Sequence, residues 1–119
     1  MVANFRWFIA GQLAGGSKPC YPEDVAWLRV QGLRAVVSLE VVSDLITALL
    51  HEEVMWHLVV PIDLDDADDI IEPSPEEVAR ILGFVRSAFA ERRPVYLHCS
   101  AGIKRTGWMA RKISPLLQP

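Results

Sequence analysis

The stretch VYLHCSAGIKRTG, Val95 to Gly107, decides the fold of this chain. It begins as a short apolar run typical of a buried strand, and it ends in glycines and cations that open a helical pattern. A polar loop with glycine between a strand and a helix builds an anion site, because its backbone N–H groups point inward and the helix N-terminus adds partial positive charge. The stretch therefore predicts a strand, a loop and a helix that together bind an anionic group.

The side chains of this loop combine a nucleophile with a cation. Cys99 stands at the first loop position, where the amides and the helix end favour a thiolate. Arg105 carries a planar fork that matches two phosphate oxygens. Gly102 lets the backbone turn without a Cβ clash, and Thr106 can hydrogen-bond the thiolate. The loop is therefore predicted to bind phosphate through Ser100, Ala101, Gly102, Ile103, Lys104 and Arg105.

The rest of the chain alternates strand patterns with helix patterns. An edge strand followed by a turn is expected near the N-terminus, and further strands are expected at 33–39, 56–62 and 94–98. Helices are expected from Pro22 to the stop at Gly32, from Ser43 to about His51, from the capping box at Ser74, and after the loop as far as Pro115. This alternation predicts one α/β domain over residues 1–119, with helices on a mostly parallel sheet whose strand order stays open.

The composition limits the class of protein. The 119 residues are 51% hydrophobic and 23% charged with a net charge of −3, which predicts a globular chain and argues against a nucleic-acid coat. No apolar run approaches the roughly 20 residues of a membrane span. Cys20 and Cys99 are too few for a disulfide framework, and no cysteine or histidine spacing suits zinc. We therefore expect a soluble domain in a reducing cytoplasm, without a nucleic-acid or membrane partner.

The segment HCSAGIKRTG resembles the HCxxGxxR[ST] signature of cysteine-dependent protein tyrosine phosphatases. Upstream, NFRW, AGQLAG and LRAVVSLE are similar to the start of small atypical dual-specificity phosphatases, so the resemblance runs from about Asn4 to Gly107. It implies a protein tyrosine phosphatase-like fold in which Cys99 attacks a phosphate monoester and water hydrolyses the resulting phosphocysteine. It also implies phosphotyrosine as substrate, with phosphoserine and phosphothreonine as further substrates on proteins or small molecules, and no metal or organic cofactor. His98 is carried over as the neighbour that orients the nucleophile and lowers its pKa.

The chemistry also needs an acid that protonates the leaving oxygen. The candidates are Asp63, Asp65, Asp66, Asp68 and Asp69. In the phosphatase family that this sequence resembles, the acid precedes a helix that begins in the same way as Pro73-Ser74-Pro75. By this resemblance the acid is Asp69. The end of the preceding strand favours Asp63 or Asp65 instead. The clustered negative charge would also repel RNA 5′-triphosphates and polyphosphoinositides, whereas Lys104 at the rim would attract them.

The end of the sequence departs from the family pattern. Family members continue past the loop helix with helices that close the core, whereas this sequence stops at Pro119. The C-terminal helical part is therefore expected to be shortened, which would leave an apolar face partly uncovered and favour self-association. This face comprises Trp108, Met109, Ile113, Leu116 and Leu117.

Two other functions fit parts of the pattern. A rhodanese-like sulfurtransferase also carries a cysteine before an arginine at a helix start, but it needs no general acid and lacks the Arg-Thr-Gly ending. A phosphate-binding module without turnover would retain the loop alone. The phosphatase explains both the loop and the acidic segment DLDDADDIIE, Asp63 to Glu72.

Overall fold

The computed structural model describes residues 1–118, which form a central five-stranded sheet. Its strands are β1 (Arg6–Ile9), β2 (Leu13–Gly16), β3 (Ala35–Ser38), β4 (Trp56–Val59) and β5 (Val95–His98). Their order is β1-β2-β5-β3-β4, with β1 antiparallel to β2 and every other neighbouring pair parallel. The predicted α/β fold with a mostly parallel sheet is thus confirmed. Strand β5 lies in the middle, so the loop that follows it opens at the centre of the sheet's carboxyl edge.

Four helices cover the two faces of this sheet. They are α1 (Pro22–Val30), α2 (Asp44–Glu52), α3 (Pro75–Ala90) and α4 (Lys104–Leu117). Helices α1 and α2 share one apolar core with the sheet residues that point to their side, and α3 and α4 share the other, because successive strand residues face opposite ways. None of the helices in residues 1–118 is long and apolar enough to cross a membrane.

The capping box predicted at the start of α3 is confirmed. The Glu77 N–H donates to Ser74 Oγ at 3.1 Å, and the Ser74 N–H donates to Glu77 Oε1 at 2.9 Å. These bonds satisfy two of the N–H groups that a helix start otherwise leaves without a partner. The box therefore fixes the point where the acidic segment ends and α3 begins.

Two elements differ from the prediction. The glycines of Leu13–Gly16, expected in a turn, instead lie in the buried strand β2. A Cβ on Gly15 would lie 2.5 Å from the Phe8 ring, and one on Gly16 would lie 2.6 Å from the Tyr96 hydroxyl, so close packing explains these glycines. The expected helix end at Pro115 is also wrong, because α4 continues to Leu117. Pro115 removes one backbone donor and crowds the Arg111 carbonyl, but it lies on the exposed side of the last turn, and the helix continues for only two more residues.

The face expected to be uncovered at the C-terminus is partly closed. Met109 and Ile113 are fully buried in the core shared with α3, so the expectation for these two residues is wrong. Trp108 and Leu117 are half-buried, and Leu116 is 54% exposed. The helix buries one stripe against α3 and the sheet while its last turn stays open. Self-association through this last turn stays a prediction.

Candidate active site

The candidate site is a pocket of about 320 Å³ at the carboxyl edge of β5. Its floor is Cys99, which follows β5 directly and is only 2% exposed. The wall includes most of the residues predicted from the loop and two residues of the acidic segment. The lining residues are Leu64, Asp68, Cys99, Ser100, Ala101, Ile103, Lys104 and Arg105.

Residues around the β1–β2 hairpin hold the loop backbone from outside. They donate hydrogen bonds to three consecutive carbonyls: the Lys18 N–H to Ser100 at 2.9 Å, Asn4 Nδ2 to Ala101 at 2.9 Å, and Arg6 Nη1 to Gly102. In a trans peptide the carbonyl and the N–H point in opposite directions. Because the carbonyls are bound from outside, the N–H groups of the same peptides turn toward the pocket. The loop backbone is therefore held in place by a part of the chain that is distant in sequence.

Gly102 is the residue that lets the loop close against the hairpin. It has φ +78°, a conformation that favours glycine. A Cβ at this position would lie 1.9 Å from the Gly16 carbonyl carbon and 2.4 Å from the Ser17 nitrogen, both backbone atoms. No side chain fits here without displacing β2.

Several groups favour the thiolate form of Cys99. Burial raises the pKa of this thiol, but hydrogen bonds from Thr106 and from the Gly102 N–H, together with the charge of Arg105, more than offset it and leave the pKa lowered. The Thr106 hydroxyl donates to Cys99 Sγ at 3.1 Å. A thiol whose pKa is lowered by a nearby cation and by hydrogen bonds ionises more readily than an ordinary cysteine.

Arg105 is held by groups at two neighbouring strand ends. Its Nη1 donates to the Ile62 carbonyl at 3.0 Å, and its Nη2 lies 3.6 Å from Glu40 Oε2. The other Glu40 oxygen lies 3.6 Å from Lys18 Nζ. The side chain of Arg105 is only 12% exposed, so the guanidinium is fixed in the pocket wall before any ligand binds.

His98 precedes Cys99 at the end of β5 and is fully buried. Its Nδ1 is 2.9 Å from the Cys99 carbonyl, and its Nε2 is 2.6 Å from Ser38 Oγ. Burial, which the Cys99 carbonyl hydrogen bond only partly offsets, lowers the pKa of His98 to about 4, so the ring is neutral at neutral pH. A neutral ring orients the backbone of Cys99 but adds no positive charge beside the thiolate.

The acidic segment folds over the pocket as a tight turn. Asp65 Oδ1 accepts hydrogen bonds from the N–H groups of Ala67 and Asp69, at 2.8 and 3.0 Å, so its carboxylate is used within the turn. Asp68, with φ +60°, lines the pocket, and its carbonyl accepts a hydrogen bond from Lys104. Of the five candidate aspartates, Asp68 is the one in the pocket wall, next in sequence to the predicted Asp69.

Sequence reasoning missed several residues of the site, among them the four polar residues Asn4, Arg6, Ser38 and Glu40. All four act on the loop backbone, on His98 or on Arg105, and none belongs to the loop itself. Ser38 and Glu40 did carry a signal, because a polar residue at the end of a buried strand faces the carboxyl edge where parallel sheets hold their sites. Asn4 and Arg6 carried none, since their contacts depend on the fold.

Comparison with known proteins decides the family of this chain. Residues 12–113 match the model of a family described as DSP-PTPase phosphatase fused to NAD+ kinase. The chain belongs to this phosphatase family. A curated relative of this phosphatase, the probable NAD kinase 2, chloroplastic, of Oryza sativa subsp. japonica, is 30% identical over 97 residues. These cover 76% of the chain but only 9% of the rice protein.

Solved structures share the fold of the phosphatase. TpbA of P. aeruginosa is 26% identical with a TM-score of 0.68, over 93% of this chain and 64% of TpbA. The core catalytic domain of the PP-IP phosphatase SIW14 from S. cerevisiae is 19% identical with a TM-score of 0.76, over 97% of this chain and 67% of that domain. A cysteine variant of TpbA has been solved in complex with phosphotyrosine. The chain is therefore homologous to protein tyrosine and dual-specificity phosphatases.

Proposed function

We propose that this phosphatase hydrolyses phosphotyrosine, with phosphoserine and phosphothreonine as further substrates, through a phosphocysteine on Cys99. The observation that carries the proposal is the buried thiol of Cys99, with its lowered pKa, at the floor of a pocket lined by loop residues and Arg105. The phosphotyrosine complex of TpbA supports the same substrate class. A free thiol of this kind suits a reducing compartment such as the cytoplasm.

The first step transfers the phosphoryl group to the enzyme. The Cys99 thiolate donates an electron pair to phosphorus, an S–P bond forms, and the P–O bond to the leaving group breaks. Arg105 and the loop N–H groups bind the non-bridging oxygens, on which negative charge is carried through the transition state. The leaving oxygen takes a proton from an acid and departs as the neutral alcohol or phenol.

The second step releases phosphate. Water attacks phosphorus and gives a proton to the same carboxylate, so the acid is regenerated. The S–P bond breaks and the electron pair returns to sulfur as the thiolate. The hydroxyl of Thr106, 3.1 Å from Sγ, stabilises this leaving thiolate.

The acid comes from the turn above the pocket. The helix start points to Asp69, whereas the pocket wall contains Asp68. An acid must reach the leaving oxygen, which faces the pocket mouth above Cys99. We therefore assign the role to Asp68 and keep Asp69 as the alternative that experiment must separate from it.

The pocket walls favour an aryl phosphate. Leu64 and Ile103 line the pocket with apolar side chains, against which a phenyl ring can pack. Lys104, which also lines the pocket, donates a hydrogen bond to the backbone carbonyl of Asp68.

Turnover of p-nitrophenyl phosphate tests the proposal. The wild-type chain should release p-nitrophenol, vanadate should inhibit it, and Cys99→Ser should abolish it. Cys20→Ser is the matched control, because Cys20 is the exposed cysteine, and it should retain activity. Transfer of sulfur from thiosulfate to cyanide without phosphatase activity would indicate the sulfurtransferase instead, and phosphate binding without turnover would indicate the binding module.

A further inference from the structure

A chain of three buried or half-buried side chains runs beneath the nucleophile. His57 Nε2 lies 2.7 Å from Ser38 Oγ, Ser38 Oγ lies 2.6 Å from His98 Nε2, and His98 Nδ1 lies 2.9 Å from the Cys99 carbonyl. The three residues belong to the adjacent strands β4, β3 and β5. Ser38 is paired directly with His98, and His57 is paired with Val36, two residues before Ser38, so all three face the same side of the sheet.

Only one placement of the hydrogens gives each of these three hydrogen bonds one donor and one acceptor. A carbonyl oxygen only accepts, so His98 must donate from Nδ1. Burial lowers the pKa of His98 to about 4, so its Nε2 carries a lone pair and must accept from the Ser38 hydroxyl. The Ser38 oxygen then accepts from Nε2–H of His57. Every hydrogen therefore points from His57 toward Cys99.

This series of hydrogen bonds depends on the Ser38 hydroxyl. Without its hydroxyl, Nε2 of the fully buried His98 has no donor, and an unsatisfied buried polar group is costly. The ring would then gain freedom to rock or rotate away from the Cys99 carbonyl. His57 acts one step earlier, because its N–H commits the Ser38 hydroxyl to donate to His98 and not to accept from it.

We propose that Ser38 and His57 are positioning residues for the nucleophile, which hold the His98 ring against the Cys99 carbonyl and so fix the first residue of the phosphate loop. The proposal rests on the proposed phosphatase function for its kinetic consequence. Its structural consequence, a protected Nδ1 proton on His98, does not depend on any activity.

The test follows the His98 Nδ1 proton by NMR on the histidine-labelled chain and kcat on phosphotyrosine. In the wild type this proton should give a resonance that exchanges slowly with water. Ser38→Ala should speed its exchange and lower kcat about tenfold or more with little change in KM, as expected for a residue that acts through a neighbour. Ser38→Thr, which keeps the hydroxyl, should restore both quantities.

Two further substitutions separate the network from packing. Ser114→Ala removes another serine hydroxyl, one that is buried without a hydrogen-bond partner among residues 1–118, and should change neither quantity. His57→Gln keeps an N–H donor and should behave like the wild type. His57→Leu removes the donor and should show the faster exchange and lower kcat expected of Ser38→Ala, so it tests the proposal independently if Ser38→Ala fails to fold. A protected proton in both Ser38→Ala and His57→Leu would overturn the proposal. Loss of protection in these variants with unchanged kcat would overturn it as well. If the wild type shows the protected proton but no turnover, only the proposed phosphatase function is refuted.

Discussion

At the scale of the residue, Gly102 carries the sharpest steric requirement. An alanine there would place Cβ within 2 Å of the Gly16 backbone and also impose a positive φ on a residue with a side chain, so β2 and the loop could not both keep their positions. Gly102→Ala should therefore lower kcat/KM on phosphotyrosine by at least about 10², the scale seen when an oxyanion site is misplaced.

The matched control for this substitution lies in α3. Gly83 is exposed in the helix, and a Cβ there would meet nothing within 4 Å. Gly83→Ala should leave activity unchanged and stabilise the fold by up to about 1 kcal/mol, because alanine is the better helix former. Equal activity of the two alanine variants would contradict the assigned role of the loop.

Substitution of Thr106 tests how readily the Cys99 thiol ionises. Thr106→Val keeps the shape of the side chain but removes the hydroxyl that donates to Cys99 Sγ at 3.1 Å. Because this donor lowers the pKa of the thiol, the pH profile for alkylation of Cys99 by iodoacetamide should move to higher pH. Thr106→Ser keeps the donor and should stay close to the wild type. An unchanged profile in the valine variant would mean that the other loop groups set the pKa alone.

The residues of the loop could be predicted from the sequence because they are contiguous. Cys99, Arg105 and Thr106 stand close together in one strand, loop and helix, and their chemistry is visible from residue type and spacing. Arg6 and Asn4 could not be placed, because they reach the loop from a distant part of the chain. Contacts of this kind depend on strand order, which the sequence left open.

At the scale of the element, strong local signals predicted helices and strands well. The capping box at Ser74 fixed the start of α3, and apolar runs located β3, β4 and β5. The glycines of β2 were misjudged because their role is to admit Phe8 and Tyr96, neighbours that only the tertiary structure supplies. Pro115 was misjudged because it lies in the last turn of α4, which continues for only two residues beyond it.

The assignment of the general acid to Asp68, in the turn above the pocket, can be tested by substitution. Asp68→Asn should slow phenyl phosphate hydrolysis by about 10² or more and p-nitrophenyl phosphate hydrolysis much less, because a good leaving group needs little protonation. Asp69→Asn is the matched control and should have a small effect that is equal for both substrates. If the leaving-group dependence appears at Asp69 instead, the helix start located the acid and the pocket wall did not.

At the scale of the whole molecule, the buried histidines couple stability to pH. The pKa of His98 is about 4 in the folded chain against 6.5 as its ordinary value, and burial also lowers the pKa of His57. Between these values the unfolded chain binds more protons than the folded one, so the free energy of unfolding should fall as the pH drops from about 6.5 to 4. The contribution of His98 across this window is on the order of 3 kcal/mol. Denaturant unfolding at several pH values measures it.

A variant isolates this contribution from that of the carboxylates. His98→Asn keeps an N–H near the Nδ1 position but cannot titrate, so its stability should depend less steeply on pH in the same window. Parallel curves for the variant and the wild type would show that His98 does not stay neutral in the folded chain.

The central claim is that the fold places Cys99 to take a phosphoryl group from substrate. Rapid mixing with an aryl phosphate, a denaturing quench and mass spectrometry of the peptide that contains Cys99 test it directly. We expect the mass of one phosphoryl group on Cys99 in the wild type, at a higher level in Asp68→Asn if that residue also activates the hydrolytic water, and none in Cys99→Ser. Steady turnover with the phosphoryl group on another residue, or undiminished turnover by Cys99→Ser, would contradict the account.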